Sequence, residues 1–300
     1  MIANLYLIAD SFQYNGIDSE QEVLNKINAL CSDLLYINQY KKENIIIADT
    51  KIYTANLFQG KTIFNICDQI DRDSRNLLFN IINSAKVFDS QDIVAECHAH
   101  NANNCAAILA FNPIPNIPED ITIIYNKKNW FSFRRMMLGK YPQNANYFIE
   151  ECKKYYLALF FHENNKRVIG AYLQDYSSRF VEYLSYLNDD FRLFFKNHEN
   201  QDNNTNIILS LFSKTYKLDD DASLQGNAQK KKNITYQFTY NDGITTKSID
   251  LCCEPHLKIK WKNNQIGKGK PENVRIYFHM GYKNVEDGRI LIGSIGPHVD

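Results

Sequence analysis

The sequence predicts a protein of α/β or α+β class, in which an N-terminal mixed α/β body with a helical second half precedes a small antiparallel β-sheet. Three observations lead to this prediction. Short apolar runs alternate with helical periodicity over residues 1–125, a pattern typical of α/β proteins. Aromatic and aliphatic residues recur at helical spacing over residues 144–195. Three runs of alternating apolar residues then occupy residues 252–298, as expected for strands joined by loops.

The body begins with a predicted buried strand at residues 1–10 and a predicted helix at residues 17–40. Asp18 or Ser19, with Glu22 close behind, favours a helix start at this point, because such a residue followed by Glu is typical of a capped helix N-terminus. The remaining predicted elements of the first half are strands at 44–49, 106–111 and 121–125, and helices at 72–85 and 90–104.

The second half of the chain is predicted to be helical until a boundary near residue 219. Residues 144–195 and 207–216 have helical spacing, and their aromatic stripe is typical of a core face. Residues 219–232 contain three Asp, one Gly and a run of Lys without periodicity, which indicates a hinge. The predicted domains are therefore a regulatory or sensing body at 1–218, the hinge at 219–232 and a terminal β module at 233–300.

The formal net charge of zero conceals an asymmetry along the chain. Residues 230–300 carry 12 Lys or Arg and 7 Asp or Glu, a balance of about +5, so the rest of the chain carries about −5. A basic module of this kind can bind a polyanion through its own face, or lie against the acidic body.

The cysteines and the apolar runs bear on the location of the protein. The seven cysteines include no Cys-x-x-Cys pair, which favours reduced thiols in the cytoplasm and argues against a structural zinc site. No run approaches the roughly 18 apolar residues of a membrane span. We therefore expect a cytoplasmic protein with no membrane association.

The terminal module contains three motifs in order. The first is Glu254-Pro255 leading into Leu257-Lys258, the second is Arg275-Ile276-Tyr277-Phe278, and the third is an apolar strand that ends in His298. Together they resemble the RelE/YoeB-type bacterial toxin ribonucleases, small antiparallel sheets that cut messenger RNA, commonly on the ribosome. That family has a Glu-Pro-Leu-Lys strand entry, an Arg-Leu-Val-Tyr strand and, in YoeB-like members, a terminal His. The resemblance implies a RelE-like fold for this module.

The same residues suit the chemistry of RNA cleavage. In-line attack by a 2′-hydroxyl needs a base, an acid for the leaving oxygen and cations around the phosphate. Glu254 is the candidate base, and His298 is the candidate acid because histidine titrates near neutrality. Arg275 offers a bidentate fork to the phosphoryl oxygens. This mechanism requires no metal or other cofactor.

Further residues of the module are candidates for RNA binding. Lys258 and Lys260 lie two residues apart on one predicted strand, so they project from the same face and can contact the phosphate backbone. The predicted nucleic-acid-binding residues are Lys258, Lys260, Tyr277 and Lys283.

The leading prediction is a toxin-like ribonuclease used in growth arrest or anti-phage defence. RNA is the expected partner, and the resemblance implies association with the ribosome. The large body is expected to serve in regulation or in binding an inhibitory or sensing protein. The sequence alone leaves open whether the module is an active endoribonuclease.

Two other classes of function stay open. One is a metal-dependent nuclease with its site in the body, where Asp10 and Asp49 end predicted strands and Asp73 begins a helix. Carboxylates at strand ends are typical magnesium ligands in nucleases. The other class is a non-catalytic interaction or assembly protein of a defence system, in which the terminal sheet mediates binding or dimerisation.

Overall fold

The computed structural model describes residues 1–88, 92–99, 105–199, 204–241, 245–260 and 273–298. The chain divides into two units, unit 1 at Met1–Arg134 and unit 2 at Arg135–Asp300. This division differs from the predicted one, because the expected boundary at 219–232 lies inside unit 2.

The described residues form both strands and helices, and the predicted α/β or α+β class is confirmed. The strands are β1 (Ala3–Leu7), β2 (Asn44–Asp49), β3 (Lys86–Phe88), β4 (Cys105–Leu109), β5 (Ile123–Ile124), β6 (Leu159–Phe161), β7 (Thr235–Asn241), β8 (Thr246–Cys252), β9 (His256–Lys260), β10 (Asn273–His279) and β11 (Ile290–Pro297). The α-helices are α1 (Glu20–Asn38), α2 (Ile63–Cys67), α3 (Arg72–Ser84), α4 (Ile93–Ala99), α5 (Lys127–Lys140), α6 (Ala145–Tyr155), α7 (Asn165–Val168), α8 (Leu173–Asp189), α9 (Phe191–Glu199), α10 (Thr205–Thr215) and α11 (Ala228–Lys231). Within the described residues, no helix is long and apolar enough to cross a membrane.

Unit 1 contains a five-stranded parallel sheet in the order β3-β2-β1-β4-β5. The central strand β1 pairs with β2 on one side and β4 on the other, and its Leu5, Tyr6 and Leu7 are buried. A continuous apolar run of this kind is expected where helices cover both faces of a sheet. The strands predicted from the sequence in this unit correspond to β1, β2, β4 and β5.

Helix α1 begins where the sequence predicts. The Oγ of Ser19 accepts a hydrogen bond from the Glu22 backbone N–H at 3.3 Å, and the Glu22 carboxylate accepts one from the Ser19 N–H at 2.7 Å. These two bonds satisfy donors that the first turn leaves unpaired. The helix predicted at 72–85 is α3, and part of the helix predicted at 90–104 is α4, the rest of it lying outside the described residues.

Helix α5 was not predicted because its buried stripe includes charged residues. Arg134 is fully buried, and its guanidinium donates to the carbonyls of Glu43 and Met1 at 3.2 Å each. Trp130 on the same helix donates its indole N–H to the Asn44 side chain at 3.2 Å. Long-range hydrogen bonds of this kind leave no local periodic signal in the sequence.

Unit 2 contains a four-stranded sheet in the order β6-β11-β10-β9. The pairs β9–β10 and β10–β11 are antiparallel, whereas β6 pairs in parallel with β11. The three predicted terminal strands are thus present. The sheet also includes β6, in a stretch that the sequence analysis predicts as helix. That prediction was wrong, because pairing with β11 overrides the local helical spacing.

The two sides of this sheet have different surroundings. One side packs against helices of unit 2 and carries Leu257, Ile259, Val274, Ile276 and Ile295 in the hydrophobic core. Part of the other side is covered by the β7–β8 hairpin, in a cluster that includes Phe238, Leu251, Cys253, Tyr277 and Leu291.

The segment 219–232, predicted as a hinge, is attached to β9 instead. Ser223 and His256 exchange two backbone hydrogen bonds of 3.3 and 3.0 Å, and the Gln225 N–H donates to the Glu254 carbonyl at 3.1 Å. The Asp219 carboxylate forms an ion pair with Arg179. A single bridge of extended pairing is too short to give strand periodicity, so the composition alone suggested a linker.

Candidate functional site

One side of strands β9, β10 and β11 carries polar residues, while the other side packs into the core. Side chains alternate across a strand, so the residues between the core positions point to the opposite side. The register places Arg275 opposite Lys258 on β9 and opposite Gly296 on β11. We call this side the cationic face, and it carries His256, Lys258, Lys260, Arg275, Tyr277, Ser294 and Gly296.

Lys258 and Arg275 form a pair of like charges. Residues of like charge that lie directly opposite on neighbouring strands destabilise a sheet. Among the described residues, no carboxylate forms an ion pair with either side chain. The guanidinium Nη1 of Arg275 donates to the Tyr277 Oη at 3.4 Å. The Nε of Arg275 is buried and has no hydrogen-bond acceptor among the described residues. Positive charge and hydrogen-bond donors are therefore left for an anion.

His256 lies beside this pair and is only 2% exposed. Its Nδ1 is 3.1 Å from the Glu254 backbone oxygen, and its Nε2 is 3.3 Å from the Ser223 Oγ. Burial lowers the pKa of His256 to about 4, and the positive charges of Arg275, Lys258 and His298 act in the same direction, against the hydrogen bond to Glu254. The imidazole is therefore neutral at pH 7. Because a carbonyl only accepts, Nδ1 carries the proton and Nε2 accepts from Ser223.

His298 directly follows the last residue of β11 and is partly buried. Strand alternation places it on the same side as Ser294 and Gly296. The register places Gly296 opposite Arg275, so His298, two residues further along, lies about 7 Å beyond the level of the Lys258–Arg275 pair. Two of the three predicted catalytic residues, Arg275 and His298, thus lie on one face.

Glu254, the third predicted catalytic residue, has another partner. It lies in the connection between β8 and β9, and its carboxylate is 2.7 Å from the Lys231 Nζ. Lys231 is the last residue of α11, outside the β9–β11 strands. This ion pair gives the carboxylate of the predicted base a partner outside the β9–β11 strands.

The other predicted RNA-binding residues differ in exposure. Lys260 lies 3.6 Å from the Asp220 carboxylate, so its charge is partly compensated. Tyr277 is fully buried under the β7–β8 hairpin, with its ring 5.1 Å from that of His256, and it offers no surface for stacking a base. Lys283 is exposed in the turn after β10. The part of β10 that separates it from Arg275 is four residues long and spans about 13 Å, so Lys283 lies apart from the Lys258–Arg275 pair.

The carboxylates proposed for a metal site in unit 1 occupy ordinary structural positions. Asp49 ends β2 and accepts hydrogen bonds from the backbone N–H groups of Lys51 at 2.8 Å and Ala9 at 3.4 Å. Asp10 is exposed just beyond β1, and Asp73 is exposed in the first turn of α3. Within the described ranges, no group of three or more His, Cys, Asp or Glu side chains is placed to hold a metal ion.

Two residues that matter for the site, His256 on the face and Ser223 beside it, were not predicted as part of a site. The position of His256 follows from period-two alternation with Lys258 and Lys260, so the sequence contained a signal for it. Ser223 reaches the face only through its pairing with His256, 33 residues further along the chain. No local pattern indicates such a contact.

Neither a protein-family model nor a curated protein nor a solved structure matches this chain. The resemblance to the RelE/YoeB-type toxins therefore stays a prediction that depends on the motifs themselves. Function has to be argued from the geometry and the charges of the site, because a fold by itself does not imply an activity.

Proposed function

We propose that unit 2 is a toxin-like endoribonuclease that binds RNA on the cationic face and cleaves it without a metal ion. The observation that carries this proposal is the Lys258–Arg275 pair, two opposed cations without a carboxylate partner in the described part of the chain. The motif resemblance adds the biological role: growth arrest or anti-phage defence in the cytoplasm, acting on messenger RNA at the ribosome.

A phosphodiester group suits this pair on grounds of size and charge. The Cβ atoms of directly opposed residues lie about 4.5–5.5 Å apart, so one phosphate can accept hydrogen bonds from both side chains. Its negative charge would also remove the repulsion between Lys258 and Arg275. The guanidinium supplies fixed planar geometry, and the ammonium supplies a point charge.

The acid of the reaction would be His298. In-line cleavage expels the 5′-oxygen, which must gain a proton as the bond to phosphorus breaks. His298 follows β11 on the same side of the sheet as Gly296, which lies opposite Arg275, so the acid and the phosphate ligands share one face. Arginine and lysine would stabilise the additional charge on the phosphoryl oxygens.

The proposal is tested with the full chain and a single-stranded oligoribonucleotide. Arg275→Ala and Lys258→Ala should each raise the Kd by at least about tenfold, since a hydrogen bond to a charged group contributes about 1.5–3 kcal/mol. Each substitution should also flatten the dependence of log Kd on log salt concentration, because one fewer cation contacts phosphate. Fluorescence anisotropy at two salt concentrations measures both quantities.

Lys196→Ala serves as the matched control, because Lys196 is an exposed lysine of α9, outside the sheet. It removes the same charge and should leave the Kd within about twofold, as expected for an exposed charge without a phosphate contact. Equal weakening by all three substitutions, or none by Arg275→Ala, would exclude the cationic face as the RNA site.

A second candidate is RNA binding without cleavage, and the ion pair between Glu254 and Lys231 favours it. If Glu254 is the required base, its carboxylate is occupied by Lys231 and is not placed to accept a proton from RNA. Binding of the oligoribonucleotide by the intact chain, with no cleavage product after prolonged incubation, would support this candidate. For either function, unit 1 is our candidate for regulation or for contact with an inhibitory or sensing protein.

A further inference from the structure

A chain of hydrogen bonds joins the surface to the buried histidine of the cationic face. Ser223 is partly exposed, and its Oγ lies 3.3 Å from the Nε2 of His256, which is 2% exposed. On the other side of the ring, Nδ1 donates to the Glu254 carbonyl at 3.1 Å. This second bond fixes the orientation of the imidazole and leaves Nε2 as the acceptor for the Ser223 hydroxyl.

We propose that Ser223 and His256 together accept the proton of the attacking 2′-hydroxyl, and that His298 donates the proton to the leaving 5′-oxygen. This inference rests on the proposed ribonuclease function and assigns the base that the Glu254–Lys231 pair leaves in question. The group that touches RNA is Ser223. His256 acts through it, because the imidazole itself is enclosed by β9, β10 and the segment that precedes α11.

The surroundings of the pair are those that a cleavage site needs. Lys258 lies two residues from His256 on β9, Arg275 lies opposite Lys258 on β10, and the positive charges of Arg275, Lys258 and His298 lower the pKa of His256. The ring is held by contact with Tyr277 at 5.1 Å between centroids, and by the backbone pairing of Ser223 with His256. Because the pKa of His256 is about 4, its Nε2 is unprotonated at pH 7 and has a basicity close to that of a carboxylate, so its advantage as a proton acceptor is its fixed orientation beside the phosphate ligands.

The step balances without a metal or an added reactant. The 2′-oxygen gives its proton to the Ser223 Oγ while the Ser223 proton passes to the His256 Nε2, and the 2′-oxygen forms a bond to phosphorus. The bond from phosphorus to the 5′-oxygen breaks, and that oxygen takes a proton from protonated His298. The products are a 2′,3′-cyclic phosphate and a 5′-hydroxyl, and solvent exchange restores both histidines.

The test compares variants of the full chain in single-turnover cleavage of an oligoribonucleotide at saturating protein concentration. Ser223→Ala should lower the cleavage rate by at least about a hundredfold, the size expected for general acid–base catalysis. Its Kd for a non-cleavable 2′-O-methyl oligonucleotide should stay within about twofold, because the lost contact acts in the transition state. Ser223→Thr keeps a hydroxyl and should restore much of the rate.

Three further variants separate the role of the site from that of folding. Ser248→Ala removes an exposed serine of β8 and should leave the rate unchanged. Glu254→Gln should leave the rate within about threefold, since the carboxylate makes no transition-state contact in this proposal. If His256→Asn folds, its cleavage rate should be as low as that of Ser223→Ala. If it does not fold, the test depends on Ser223→Ala alone.

The outcomes distinguish this inference from the proposed function. If Arg275→Ala fails to weaken binding, the proposed function fails. If Arg275→Ala weakens binding but Glu254→Gln abolishes cleavage while Ser223→Ala does not, the inference is overturned and Glu254 is the base. If the intact chain binds RNA through Arg275 and cleaves nothing, the inference is likewise overturned and the second candidate function remains.

Discussion

The carboxylates at the strand ends of unit 1 and the cations on the sheet of unit 2 were both candidate functional groups, but their hydrogen-bond partners differ. Asp49 accepts hydrogen bonds from the backbone N–H groups of Ala9 and Lys51. Lys258 and Arg275 have no such compensation in the described residues. Asp49 therefore has a structural role, whereas Lys258 and Arg275 lack an anionic partner among the described residues, which a ligand could supply.

This difference is informative because folding penalises unpaired polar groups. A buried donor without an acceptor costs about 1–3 kcal/mol, and opposed like charges add to that cost. Residues that stabilise the fold need no further explanation, but residues that destabilise it point to function. Substitutions at the two regions test this difference, because they should change the free energy of unfolding in opposite directions.

The largest expected effect on stability concerns His256 and its dependence on pH. The pKa of His256 is about 4 in the folded protein against 6.5 for the free side chain. As the pH falls, the unfolded chain binds this proton first, so the contribution of His256 is complete above pH 6.5 and is lost between pH 6.5 and 4. The pKa difference corresponds to about 3 kcal/mol.

The measurement is urea unfolding of the wild-type chain and His256→Asn at pH 7.5 and pH 4.5. Burial also lowers the pKa values of His162 and His279, so only the difference between the two proteins isolates His256. The wild-type chain should lose more stability than the variant on acidification. Equal losses would show that His256 is not held in its neutral form.

A smaller loss of stability is expected for Asp49→Ala in unit 1. The substitution removes the acceptor for the Lys51 and Ala9 N–H groups and should lower the free energy of unfolding by about 1 kcal/mol, as for other lost caps. Asp49→Asn keeps an acceptor and should lose less. RNA cleavage should be unaffected by either change and by a chelator. Loss of a magnesium-dependent activity in Asp49→Asn would instead support the metal-dependent nuclease.

Much of the fold and part of the site could be predicted from local patterns. The capping box of Ser19 and Glu22 located the start of α1, and period-two alternation placed Lys258 and Arg275 on strands. These features depend on residues that are close together in the sequence. Their physical cause is local hydrogen bonding or the alternation of side chains across a strand.

The features that could not be predicted depend on pairing between distant residues. Strand β6 joins β11 across more than a hundred residues, and Ser223 reaches His256 by a single bridge. Both gain their stability from partners that local spacing does not reveal. The ion pair between Glu254 and Lys231 also joins residues that are distant in the sequence. The motif that identified Glu254 as the candidate base therefore gave no indication of its partner.

The smallest expected effect, and the one with the most informative sign, is that of Lys258→Met. Methionine keeps most of the apolar stem of lysine but removes the charge opposite Arg275. Relief of the repulsion should raise the free energy of unfolding by about 0.5 kcal/mol, and the gain should shrink at high salt concentration because salt screens the repulsion. Urea unfolding at low and high salt concentrations measures it, with Lys196→Met as the matched control.

The same variant should bind RNA more weakly, and the combination of the two results decides the interpretation. A substitution that weakens ligand binding and also raises the free energy of unfolding is expected where the residues of a binding site destabilise the fold. If Lys258→Met is instead less stable than the wild-type chain, then Lys258 has a stabilising partner within the protein. The contrast between the satisfied carboxylate of Asp49 in unit 1 and the uncompensated cations of unit 2 would then no longer identify the site.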